Sequence, residues 1–297
     1  MATQTWIDST YSSRDGLKLA ARHYPAPGST RRPAVCLPGL TRNARDFHVL
    51  ATALADPRGH RRPVYALDMR GRGASQHDPQ PANYSVATEL GDVLDFMTLT
   101  GLHDVAIIGT SRGGLITMAM AAARPTAMGA VVLNDIGPVL EAPGLARIVA
   151  YVGKMPLPHS WADAARQVRD INKRDFTAMT DADWEAFARQ IFNENDGRPA
   201  PGYDPALSQT LSIPSGPLPD VWPQFMALGR VPTLVVRGAN SDLLSVATMT
   251  EMARRHPRMR THSVPNEGHA PLLRDEPTIK AIYDFLIETD ATYAGAH

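Results

Sequence analysis

The sequence predicts a doubly wound, mostly parallel α/β sheet, and three observations predict it. Short apolar runs of strand length recur along the 297 residues and end in turn residues. Segments with helical periodicity lie between them, and strand–helix alternation is the pattern of a sheet layered between helices. Most of the strand runs are continuously apolar rather than alternating, as expected where both faces of a sheet are covered. Ligands of such sheets bind at the carboxyl ends of the strands, so the loops there are expected to carry the chemistry.

The elements follow in order. "LKLAARHY" (17–24) alternates and reads as a half-buried strand. "PAVCLPG" (33–39) is a short apolar strand, and "ARDFHVLATALA" (44–55) reads as a helix. "PVYALDMRG" (63–71) is the next strand, followed by a helix over "SVATELGDVLDFMTLTG" (85–101). "VAIIGTS" (105–111) runs straight into the helical "GGLITMAMAAARP" (113–125), and "AVVLNDIG" (130–137) is again a strand. The alternation then breaks. Between about 137 and 229 the chain reads as helices followed by a Pro- and Gly-rich stretch (197–225), with no convincing strand. Thr180 with Asp183 three residues on resembles a capping box. Asn193, Glu194 and Asp196 read as the end of a helix rather than as a metal site. The simplest account is a helical insertion over 137–229, seated above the carboxyl edge as a lid, with 1–136 and 230–297 forming the sheet domain. The sheet resumes with "PTLVVRGANSD" (232–242), and "MRTHSVPNEGH" (259–269) is a weaker strand. Helices are expected over 246–257 and 277–290.

Composition narrows the class of function. Hydrophobic residues make up 43% and charged residues 20%, ordinary for a soluble protein with a real core. Formal net charge is +0 without a long run of one sign, so no electrostatic argument favours nucleic acid or an anionic membrane as partner. The single cysteine, Cys36, reads as a core residue and excludes an intramolecular disulfide. The N-terminus lacks the basic and apolar regions of a signal peptide, and no run of 18 or more apolar residues suggests a membrane span. A cytoplasmic location is the expectation.

The chemistry is expected at Ser111. Gly-x-Ser-x-Gly at a strand-to-helix junction puts a hydroxyl on a tight turn whose neighbours must be small, and Gly109 and Gly113 supply that room. The helix that follows points its N-terminal N–H groups at the site, where they can stabilise an anion. A serine nucleophile needs a base, and the base needs an orienting acid. His269 in "NEGHAPLL" lies in a loop after the last strand. Two acids follow strands: Asp242 in "RGANSD" and Asp135 in "LNDIGP". Asp242 is the preferred acid, since Leu243 and Leu244 would pack its loop down, and Asp135 would then brace the start of the insertion. The backbone N–H groups of Leu40, after Gly39, and of Arg112 are the expected oxyanion donors. Arg42 and Asn43 lie near the same mouth and are candidates for reading a polar substrate. Aromatic residues of the insertion, Trp184 and Trp222 with Trp161, Phe187, Phe192 and Phe225, are candidates for walling an apolar pocket. No Gly-x-Gly-x-x-Gly follows the first strand and no Walker-type loop is present, so no cofactor and no metal are expected.

Taken together, "LPGLTRN", "DMRGRGAS", "GTSRGG", "LNDIGP", "RGANSD" and "EGHAPLL" resemble the α/β-hydrolase superfamily in order and spacing, over nearly the whole chain. The resemblance implies an α/β-hydrolase fold with a helical cap, Ser111 as nucleophile, His269 as base and Asp242 as acid. It implies a small ester-like substrate cleaved through an acyl-enzyme. Lactone hydrolysis, carbon–carbon cleavage of ring-fission products and a slow-turnover receptor on the same fold stand as alternatives. Two departures are visible: Pro38-Gly39 replaces the His-Gly of many relatives, and Arg112 stands where Met or Gln is commoner. Its side chain is expected to pair with a core carboxylate.

Overall fold

The structure is a computed structural model that describes residues 5–211 and 220–291. Residues 212–219, inside the predicted Pro- and Gly-rich stretch, lie outside the described residues. The strands are β1 (Ile7–Ser12), β2 (Lys18–Tyr24), β3 (Ala34–Leu37), β4 (Val64–Asp68), β5 (Val105–Thr110), β6 (Met128–Asn134), β7 (Asn193–Asn195), β8 (Arg198–Ala200), β9 (Thr233–Gly238) and β10 (Met259–Val264). The helices are α1 (His48–Ala55), α2 (Val86–Leu99), α3 (Arg112–Ala123), α4 (Ala142–Tyr151), α5 (Trp161–Asn172), α6 (Asp181–Ile191), α7 (Trp222–Met226), α8 (Val246–Arg255) and α9 (Glu276–Asp290). Eight strands form one sheet in the order β1-β2-β4-β3-β5-β6-β9-β10. β1 and β2 are an antiparallel pair, β2 runs antiparallel to β4, and every other pairing is parallel. β1 was not anticipated, because its residues are mostly exposed and carry no apolar run.

Both faces of the central strands β3 to β6 and β9 are buried, and residue alternation sorts their side chains between the two faces. Val105 and Ile107 of β5 and Val131 and Leu133 of β6 point to a core shared with α2, α3, α7 and α8. Ala106, Ile108, Ala130 and Val132 point to the other core, under α1 and α9. Local chemistry starts the helices. Ser85, Ser245 and Asp275 accept hydrogen bonds from the third residue of α2, α8 and α9. Thr180 and Asp183 form the reciprocal capping box of α6.

β3 and β5 are neighbours, but the chain leaves β3 toward β4 and leaves β5 toward β6. Their loops therefore diverge and open a crevice at the carboxyl edge, where α/β sheets bind ligands. The segment between β6 and β9 holds α4 to α7; α4, α5 and α6 line the cavity at this crevice, whereas α7 packs into the sheet core through Phe225. The segment has its own small core of Ala164, Val168, Phe176, Trp184, Phe187 and Ala188. The sequence reading of 193–196 as a helix end is corrected: α6 stops at Ile191 and β7 and β8 form an antiparallel hairpin, turning at Asp196 and Gly197, which both have positive φ. Strands of three residues are too short to show a period in sequence. The segment is tied down by Gly73 N–H donating to Gly202 O (2.9 Å) and Asp204 N–H to Gly71 O (2.8 Å). Among the described residues no helix is long and apolar enough to cross a membrane.

His60, after α1, is wholly buried and joins this loop to α9. Its Nε2 lies 3.1 Å from Tyr283 O, an acceptor, while Nδ1 has no hydrogen-bond partner among the described residues. Protonation would bury an unpaired N–H, and burial pushes the imidazole pKa down to about 4. A folded-state pKa below the unfolded value means that the unfolded chain binds more protons between about pH 4 and 6.5, so stability falls as pH falls through that window. Thermal melts at pH 7.5 and pH 5 are expected to differ less in His60→Gln than in wild type, with His60 contributing about 1–3 kcal/mol to the acid loss.

Candidate active site

Ser111 sits between β5 and α3 with φ 50° and ψ −111°, a conformation that L-residues avoid. The close packing around it explains the flanking glycines. A Cβ on Gly113 would stand 2.1 Å from Leu37 O, and one on Gly109 would stand 2.7 Å from both Gly113 O and Thr117 Oγ1. The serine N–H is anchored on Asn134 O at 3.0 Å. Its side chain makes no capping bond to α3, so Oγ is free for another partner.

That partner is His269. Nε2 lies 2.9 Å from Ser111 Oγ, and Nδ1 lies 2.8 Å from Asp135 Oδ2. A carboxylate oxygen accepts, so the arrangement puts the proton on Nδ1 and leaves Nε2 to accept the serine proton. Asp135 is wholly buried. Its charge is met by Gly238 N–H (2.9 Å, to Oδ1) and Ser241 Oγ–H (2.5 Å, to Oδ2). Ser241 Oγ in turn accepts from the Leu243 and Leu244 amides at 3.2 Å. The histidine loop is fixed on both sides. Asn134 Nδ2 donates to Thr110 Oγ1 and to Pro271 O, and Leu272 N–H donates to the Glu267 carboxylate.

The preference for Asp242 as the acid is therefore corrected. Asp242 is taken by Arg147 of α4 in a bidentate pair, with Nε–Oδ2 2.8 Å and Nη2–Oδ1 2.7 Å. Partial burial pushes the Asp242 carboxyl up, but the Arg147 hydrogen bonds and charge outweigh it and leave the pKa below the ordinary value. Asp175 lies 3.7 Å from the same guanidinium, and there burial wins and raises the pKa. Ser241 and Arg147, which decide between the two acids, were not singled out in the sequence. Ser241 lies inside "RGANSD", directly before Asp242.

Beside Ser111 lies a cavity of about 400 Å³. Gly39, Leu40, Ser111 and His269 form its floor, and α4 to α6 supply mainly apolar walls, among them Ile148, Val168 and Phe187. Leu40 lines the cavity, and Arg112 is the first residue of α3, a position whose N–H has no intrahelical acceptor. Arg42 lines the cavity, but its guanidinium is paired with Asp46 (Nε–Oδ2 2.7 Å) and stacked 4.5 Å over the Phe187 ring. It therefore offers no unpaired charge.

Three other sequence expectations are corrected. Asn43 is wholly buried and donates to Gln190 O while capping the turn at Arg45, so it is a brace. Trp184 is buried in the core of the inserted segment. Trp222 packs against Phe225 and under Arg255 and does not line the cavity. Of the aromatic set, Phe187 and Phe192 do reach the cavity, joined by Tyr151 and Tyr203. The Arg112 side chain turns away from the cavity to Glu89 and to Tyr84 O. Among the described residues no group of three or more His, Cys, Asp or Glu side chains is placed to hold a metal ion.

Comparison with known proteins agrees with this architecture. The profile of the "Alpha/beta hydrolase family" matches residues 34–281. A 3-hydroxybutyrate-oligomer hydrolase of Cupriavidus necator is 32% identical over 274 residues, covering 89% of this chain and 91% of the relative. An sn-1-specific diacylglycerol lipase of Mus musculus is 28% identical over 82% of this chain and 76% of its own. The crystal structure of an alpha/beta hydrolase from Novosphingobium aromaticivorans superposes with a TM-score of 0.89 at 39% identity, covering 96% of this chain and 99% of that one.

Proposed function

Because the chain belongs to the alpha/beta hydrolase family, we propose that it is a serine hydrolase that cleaves small carboxylic esters through an acyl-enzyme. One observation carries the reading: the unbroken relay from Ser111 Oγ through His269 to the buried Asp135 carboxylate. His269 Nε2 accepts the serine proton as Oγ attacks the ester carbonyl. Asp135 holds the ring in the required tautomer and stabilises the imidazolium that forms. The carbonyl oxygen, now an anion, lies against the Leu40 and Arg112 N–H groups. The imidazolium returns its proton to the leaving alkoxide, and water activated by the same nitrogen then releases the acid. Within the segment over 137–229, α4, α5 and α6 act as a lid that walls the acyl site.

The apolar walls and the neutralised Arg42 favour an uncharged acyl chain over an acyl group bearing a carboxylate. The names of the Cupriavidus and mouse relatives describe the same bond class, an oxygen ester. The test is hydrolysis of p-nitrophenyl esters from acetate to octanoate, with 3-hydroxybutyrate dimers and trimers alongside. Each methylene that enters the cavity is worth about 0.8 kcal/mol, so kcat/KM is expected to rise about fourfold per carbon until the site is full and then to level or fall. A fluorophosphonate should label Ser111 stoichiometrically. No turnover on any ester, with Ser111 unlabelled, would end the reading.

A further inference from the structure

Beneath the two proposed oxyanion donors, three charged side chains meet. Glu89 of α2 is wholly buried. Its Oε1 accepts from Arg72 Nη1 and its Oε2 from Arg112 Nε, both at 2.7 Å. Arg72, also buried, donates through Nε to Leu40 O at 2.7 Å and through Nη1 to Arg70 O at 2.7 Å. Arg112 donates through Nη2 to Tyr84 O at 2.9 Å. One carboxylate thus ties the carbonyl of Leu40 to the side chain of Arg112, the two residues whose N–H groups face the oxyanion. Ion pairs this deeply buried contribute little net stability, since desolvation offsets most of the attraction. They do hold geometry, because charge-assisted bonds are short and directional.

We propose that Glu89 is a positioning residue for the oxyanion hole. Through Arg72 and Arg112 it sets the spacing of the Leu40 and Arg112 amides, on loops that diverge from neighbouring strands. The proposal rests on the serine-hydrolase reading above. Neither Glu89 nor Arg72 lines the cavity, so neither touches the bound ester. Preorganised donors act on the charge that develops in the transition state. Loosening the tether therefore weakens transition-state binding and spares the ground state.

The experiment compares wild type, Glu89→Gln and Arg112→Met, the second keeping its backbone N–H. Steady-state kinetics use a p-nitrophenyl ester, and phenylboronic acid serves as a tetrahedral analogue. In both variants kcat is expected to fall about ten- to hundredfold, with KM within about twofold, given that complete loss of one donor costs about 10²–10³. Affinity for the boronic acid should fall in step with kcat. The double variant should be little worse than either single one, since both cut the same tether. Unchanged kcat and boronic acid affinity in folded variants would overturn the proposal, as would a lowered melting temperature with kcat intact. If Glu89→Gln does not fold, Arg112→Met alone decides. Wild type that neither labels with fluorophosphonate nor binds the boronic acid would instead sink the nucleophile assignment.

Discussion

Asp135→Asn is expected to lower kcat by about 10⁴-fold, while Asp242→Asn leaves it within about threefold of wild type. An amide at Asp135 can present its NH₂ to His269 Nδ1, which favours the tautomer with the proton on Nε2, where it opposes the serine proton. It also removes the charge that balances the imidazolium. The three groups now bonded to the carboxylate, His269, Gly238 N–H and Ser241 Oγ–H, are all donors, so no neighbour rescues the substitution. Asp242 has its partner in Arg147, and its loss should appear as stability, about 1 kcal/mol for a pair of this exposure. Steady-state kinetics and thermal melts on the two variants check both halves. A crippled Asp242→Asn beside an active Asp135→Asn would mean that the acid acts from the β9 loop.

Ser111→Ala is expected to lower kcat by about 10⁶-fold with an unchanged melting temperature. Alanine at φ 50° bears the same backbone strain as serine, and the His269 Nε2 that loses the hydroxyl lines the cavity, where water can take its place. Ser111→Gly should be equally inactive yet more stable by about 1 kcal/mol, because glycine relieves the strain. Single-turnover assays and melts on the two variants separate chemistry from folding. Residual turnover in both would place the nucleophile elsewhere. A glycine variant no more stable than wild type would mean that the turn stores no strain.

Much of the molecule was legible because local rules and global fold agree. The continuous apolar runs of β3 to β6 and β9 state that both faces are covered, and the two cores confirm it. Gly109, Ser111 and Gly113 are legible because close packing against Leu37 and Thr117 leaves no space for a Cβ. His269 is legible as a histidine after the last strand.

The choice of acid was a different kind of question. Asp135 and Asp242 both follow strands that end at the same sheet edge, so spacing along the chain allows either. Two contacts made across the fold decide it. Asp135 turns into the interior at φ 54°, where Ser241 and Gly238 meet it, and Arg147, reaching from a helix nearly 100 residues away in sequence, claims Asp242. The same holds for Asn43, whose amide suits a polar substrate contact, and for Trp184 and Trp222, whose rings suit a pocket wall; all three side chains are spent on bracing and packing. Periodicity and steric need are properties of neighbouring residues and are written in the sequence. Which charged partner arrives from a distant segment is a property of three-dimensional packing, and only the tertiary structure determined it.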